Sequence, residues 1–200
     1  MQEVDTEFMW HPGFSIAQKR KSIRALHDSA SEKGISPVLE ISTKSENPIG
    51  YKLSAFNLRV IVNRTHEMSV ESAYQGSKVF EQGGPYTDLY DVPSREAKGD
   101  PRLRGSGDLI NFNLKGDIWE LNPETAFYDW IYVNALHQHS NVKSEIIDFN
   151  GFTDIEFNPK KSINCQARAA ALFVALARKG IVKEALSSPD VFKSIAYGGR

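Results

Sequence analysis

The segment TAFYDWIYVNALHQ, residues 125–138, constrains the fold more than any other stretch. Thr125 is a helix-starting residue, and the apolar side chains after it occupy most faces of the helix they would form. Such a helix must be covered on nearly every side, so the rest of the chain has to wrap it. With 200 residues, 40% of them hydrophobic and 24% charged, one domain is enough to do so.

The wrapping elements are expected as follows. SINCQARAAALFVALARKG (162–180) reads as a helix closed by Gly180, and Ser15–Lys33 as another, with Ile16, Ile23, Leu26 and Ala30 near helical spacing and Gly34 as a stop. PVLEIST from Pro37 and YKLSAFNLRVIVN (51–63) read as strands, joined by the turn residues of KSENPIG. GFTDIEF (151–157) reads as a strand with Asp154 and Glu156 on one side. The last twenty residues suit short helices closing over the core. The expected class is α+β: a single domain, with a small mixed sheet packed by several helices.

The formal net charge of −1 excludes a protein that coats nucleic acid by its overall field. Any such contact must come from a local patch. Two basic clusters exist, Lys19, Arg20, Lys21 and Arg24 in QKRKSIR, and Arg95, Lys98, Arg102 and Arg104 in PSREAKGDPRLRGSG. Either could grip phosphates or simply be a solvated surface. The second lies in residues 82–107, which hold five of the fourteen glycines and three prolines and read as a long surface excursion. The one cysteine, Cys165, has apolar neighbours and reads as a small core residue. HQH at 137–139 lacks further ligands at metal-binding spacing, and neither metal nor cofactor is expected. The acidic start MQEVDTEFMW and the lack of a membrane-length apolar run point to a cytoplasmic protein.

The most chemical segment is SVESAYQGSKVF, residues 69–80. Read as a helix capped by Ser69, it places Glu71, Tyr74, Gln75 and Lys78 in one stripe, which suits a solvated face or a site. Lys44, beyond the strand VLEIS and on the side of Glu40 and Ser42, is either a solvated edge residue or a desolvated nucleophile. Trp119, in a loop-like context, is the candidate for stacking on a flat ring, whereas Trp130 belongs to the core.

Together LSAFN (53–57), SVESAYQGSKVF, PSREAK (93–98) and FYDWIYVNAL (127–136) resemble the NADAR superfamily of ADP-ribose-linked N-glycosidases. The similarity spans residues 50–179, with 1–49 as a branch-specific N-terminal part and 180–200 as a helical closure. The leader HPGFSIAQKRKSIRALHDSASEKGISPVLEISTKS and the stretch QGGPYTDLYDVPSREAKGDPRLRGSGDL resemble the branch of antitoxins paired with DarT-type toxins, which ADP-ribosylate guanine in DNA. The resemblance implies a glycohydrolase that removes ADP-ribose from guanine in single-stranded or flipped-out DNA. Glu71 and Lys44 would be its catalytic residues, and Phe56, Asn57, Tyr74, Gln75, Lys78, Arg95, Lys98, Trp119 and Asp129 would hold substrate. Alternatives are an N-glycosidase acting on a free ribosylated metabolite, or a non-catalytic module that binds ADP-ribose.

Overall fold

The computed structural model describes residues 1–62, 65–139, 141–158, 160 and 163–198. Asn63, Ser162, Gly199 and Arg200, which the expected elements include, lie outside the described residues. In chain order the elements are α1 (Ile16–Glu32), β1 (Val38–Glu40), α2 (Pro48–Lys52), β2 (Arg59–Val62), β3 (His66–Ser69), α3 (Val70–Gly76) and β4 (Lys78–Phe80). A 3-10 turn (Thr87–Asp91) leads to α4 (Ser94–Gly99), α5 (Arg102–Gly105), β5 (Leu109–Leu114) and β6 (Asp117–Trp119). The chain ends with α6 (Ala126–Gln138), α7 (Val142–Ile146), β7 (Gly151–Thr153), α8 (Gln166–Arg178), α9 (Val182–Ala185) and α10 (Pro189–Tyr197).

The class is α+β. Among the described residues the strands fall into three small sheets: β1 parallel to β7, β2 antiparallel to β3, and β4-β5-β6 antiparallel. Helix α6 is buried over most of its surface, with Phe127, Ile131, Tyr132, Val133 and Leu136 almost without exposure, and only the stripe of Trp130, Asn134, His137 and Gln138 reaches toward water. It packs against α8, α3 and β2. Small residues on α8, among them Ala169 and Ala170, let the two long helices approach closely. Each large apolar side chain removed from water here contributes about 1.5–3 kcal/mol. Tyr132 settles its hydroxyl by donating to the Leu53 carbonyl at 2.5 Å.

Several local expectations are corrected. Residues 48–52, taken as the approach to and start of a strand, are helical. Asn47 accepts from the Ile49 N–H as N-cap and Pro48 opens the helix, so β2 begins only at Arg59. Helix α3 stops at Gly76, and Lys78 to Phe80 are already strand. Gly76 is required there, because an added Cβ would come within 2.6 Å of the Tyr90 ring. Strand β7 ends at Thr153, and residues 154–157 turn, with Phe157 N–H donating to the Asp154 carbonyl. Asp154 is therefore turned inward while the exposed Glu156 pairs with Lys19. The hairpin β5–β6 had no counterpart in the sequence reading. Its tight turn uses Lys115 at φ 51° and Gly116 at φ 105°.

No helix among the described residues is long and apolar enough to cross a membrane.

Candidate active site

Three elements converge on Glu71. Ser69 caps α3, its Oγ accepting from the Ser72 N–H at 2.9 Å. The next amides of the helix are taken by the chain ahead of β2: Val70 N–H donates to Leu58 and Glu71 N–H to Ala55. Ser94, at the start of α4, places its Oγ 2.7 Å from Ser69 Oγ and 2.8 Å from the Phe56 carbonyl. Buried hydroxyls thus tie α3, α4 and the Phe56 loop together, which fixes Glu71, Lys98 and Phe56 relative to one another.

Glu71 is 5% exposed. Its Oε1 accepts from Gln75 Nε2 at 2.8 Å and lies 3.6 Å from the Lys98 ammonium, which also stands 5.1 Å from the centre of the Phe56 ring. The helix presents Tyr74 beside this group, and β4 returns Lys78 over it, with the ammonium 4.7 Å above the Tyr74 ring. Burial pushes the Lys78 amine down to about 8, against the pull of Glu71 and with the repulsion of Lys98. The Tyr74 hydroxyl accepts from Asn164 Nδ2 at 2.7 Å, and burial pushes its pKa up. The residues of the expected stripe therefore do come together, although Lys78 arrives from a strand.

A wall behind this cluster was missed in the sequence. Gln166, the first residue of α8, accepts from the Ala55 N–H at 2.7 Å and also hydrogen-bonds the Asp154 carboxyl. Burial, with the nearby Glu40 carboxyl, pushes Asp154 up to about 7. Tyr128, edge-on to Tyr74, lies in the electrostatic reach of both Glu71 and Asp154. Burial raises the Cys165 thiol to about 12, so it is not a thiolate. These residues are far from Glu71 in sequence, and no local spacing announces them.

The other candidates have their own surroundings. Lys44 follows β1 with its ammonium 3.3 Å from Thr43 Oγ1 and its carbonyl near Arg20 Nε; no hydrogen bond or ion pair joins it to Glu71. Glu40 does not serve Lys44 either, but accepts from Thr153 and from the Ile155 N–H. Trp119 is not a loop platform: it closes β6, is 2% exposed, and packs on Phe127 and Trp130. Asn57 donates to the Tyr51 carbonyl and so holds its own loop. Asp129, 1% exposed, is paired with Arg168 and accepts from Tyr197 and Thr125. Burial raises its pKa in spite of Arg168. Arg95 is exposed on α4, whereas Arg102 is held by Asp88 and Asp100. Of the histidines at 137 and 139, His139 contacts the Arg59 carbonyl through Nε2. A hollow of about 1190 Å³, lined in part by residues 1–6, reaches Asp154, Cys165 and Arg168 but not Glu71. The polar cluster is located by the convergence of Gln75, Lys78 and Lys98 on the buried Glu71 carboxylate.

Nearly the whole chain, residues 1–199, matches the family described as DarT1-associated NADAR antitoxin. The chain belongs to that family. A NADAR antitoxin is functionally paired with a DarT1 toxin, and the NADAR superfamily is associated with glycosidase-type activity. Among curated proteins, none matches this sequence.

Proposed function

We propose that this NADAR antitoxin hydrolyses the bond between ADP-ribose and guanine in DNA, undoing the toxin's modification. The observation that carries this reading is the Glu71 cluster: a buried carboxylate with Lys98 3.6 Å away and Lys78 within its electrostatic reach, each ammonium over an aromatic ring. Cleavage of an N-glycosidic bond builds positive, oxocarbenium-like charge at the sugar C1, and a carboxylate in a desolvated setting stabilises it. Glu71 supplies that charge. Lys98, with the exposed Arg95 nearby in sequence, is the cation suited to the diphosphate. Phe56 and Tyr74 offer ring faces, though each is already covered by a lysine.

The C1–guanine bond can be broken by water or by an amine. In the amine route a neutral lysine attacks C1, guanine leaves and takes up a proton, and the ring opens to an imine that water hydrolyses. Lys44 was the sequence candidate for this role. The amine at about 8 beside Glu71, however, belongs to Lys78, and that favours Lys78 as the attacking group.

The test is a release assay on an oligonucleotide carrying ADP-ribosyl-guanine, followed by mass, with Glu71→Ala, Lys44→Ala and Lys78→Ala alongside. Return to the unmodified mass with the native protein and loss with Glu71→Ala is the expected result. An unchanged mass over hours with the native protein would overturn the glycohydrolase reading.

A further inference from the structure

The hollow bordered by residues 1–6 does not reach Glu71, and much of its wall is apolar: Leu26 and Ala30 of α1, Val38 of β1, Phe152 of β7, and Ala171 and Val174 of α8. Its volume, about 1190 Å³, is ample for a small molecule. Residues 1–6 carry no helix or strand and form a strap along it. The strap does not fill the space with its own apolar side chains, since Met1 is 55% exposed and Val4 45%. Two contacts hold it. The Lys33 ammonium donates to the Asp5 carbonyl, and the Glu3 carboxylate lies 3.3 Å from Arg168 Nε.

Arg168, near the start of α8, lines the hollow with a side chain 13% exposed, against 74% for Glu3. Its Nη1 is committed to Asp129 and Thr125, while Nε is the nitrogen turned to Glu3. A guanidinium largely out of water binds a carboxylate more strongly than a solvated one does. The carboxylate it has, however, is solvated and mounted on an irregular segment, and holding it there costs conformational entropy. A ligand that brings its own single negative charge replaces Glu3 without altering the charge balance. It also covers the apolar walls, which Glu3 leaves open. A dianion would set excess charge beside Asp129, and a cation would face the guanidinium. We infer that the hollow is a binding site for an amphipathic monoanion, a carboxylate or sulfonate head on an apolar body, with Arg168 Nε as the contact of the head and Glu3 as the internal competitor it displaces. This site is independent of the glycosidase reading, because it uses neither Glu71 nor ADP-ribose.

The test is fluorescence titration of the full chain with anilinonaphthalene sulfonate, a sulfonate on an aromatic body, followed by displacement with decanoate, decanol and decyltrimethylammonium. Saturable single-site binding is expected with the near-ultraviolet circular dichroism unchanged, which separates it from dye uptake by a loosened core. Decanoate should displace the dye at about tenfold lower concentration than the alcohol or the cation. Glu3→Gln, at an exposed position, should tighten dye binding by about three- to tenfold, because the competing charge is gone. Ala171→Phe, which fills the hollow from α8, should weaken it by more than about tenfold. If that variant does not fold, Glu3→Gln and the displacement series decide. No saturable binding at millimolar concentration, equal displacement by the three decyl compounds, unchanged affinity in Glu3→Gln, or unchanged affinity in a folded Ala171→Phe would each overturn the site.

Discussion

The Lys78 ammonium rests 4.7 Å above the ring of Tyr74, a residue on the preceding helix, and both are largely out of water. Tyr74 cannot discharge the lysine, because its own ionisation is pushed up by the same burial. The amine is thus left to titrate at about 8, below the 10.5 of a solvated lysine.

If Lys78 is the attacking amine, kcat/KM for release rises with pH and levels off above about 8, as the neutral form accumulates. Lys78→Met removes the reaction, while Lys44→Ala leaves the profile in place. The folded pKa lies below the unfolded one, so the charged lysine costs stability below about 8, and that cost disappears as pH rises toward 10.5. Thermal unfolding at pH 7 and pH 10 should show the difference narrowing between the native protein and Lys78→Met.

Glu71→Gln keeps the shape of the side chain and removes its charge. Release should fall by about 10²–10³-fold, the size expected when one preorganised electrostatic partner of a transition state is lost. Affinity for ADP-ribose should change far less. Single-turnover rates and equilibrium titration measured on one preparation separate the two effects.

Asp154 makes the opposite pH statement to Lys78. Its pKa of about 7 in the folded protein exceeds the ordinary aspartate value of 3.8, so the native state holds its proton more tightly. Stability from this group is complete below about 4 and is lost as pH rises through about 7. Asp154→Asn, which cannot ionise, should unfold at a higher temperature than the native protein at pH 8, with the gap closing at pH 4.

Trp119→Ala tests the relocation of that residue from platform to core. Removing a fully packed indole from beside Phe127 and Trp130 should cost about 3–5 kcal/mol in urea unfolding. Affinity for ADP-ribose, measured where the variant is still folded, should stay within about twofold.

What the sequence made legible follows from how local the determining forces are. Helices α6 and α8 could be read because an apolar face, or apolar faces all round, is written at successive positions. Trp119 could not, because β6 is only three residues long and takes its identity from pairing with β5. In α3 the polar residues were recognised while the element was misjudged. Lys78 meets Tyr74 because Ser77 ends the helix and the chain turns into β4, not because of a continued helical stripe. Asp154, Asn164 and Gln166 join the α3 cluster only through tertiary contacts, and the pairing of Asp129 with Arg168, 39 residues on, is likewise invisible in local spacing.

The bond from Ala55 N–H to Gln166 has a consequence for timing. A loop that carries Phe56 obtains its fixing acceptor from a side chain 111 residues further along. A ribosome adding about 5–20 residues per second delivers that acceptor roughly 6–20 s after Ala55 itself. During that interval a cell making both proteins holds an antitoxin whose candidate site is still unfinished.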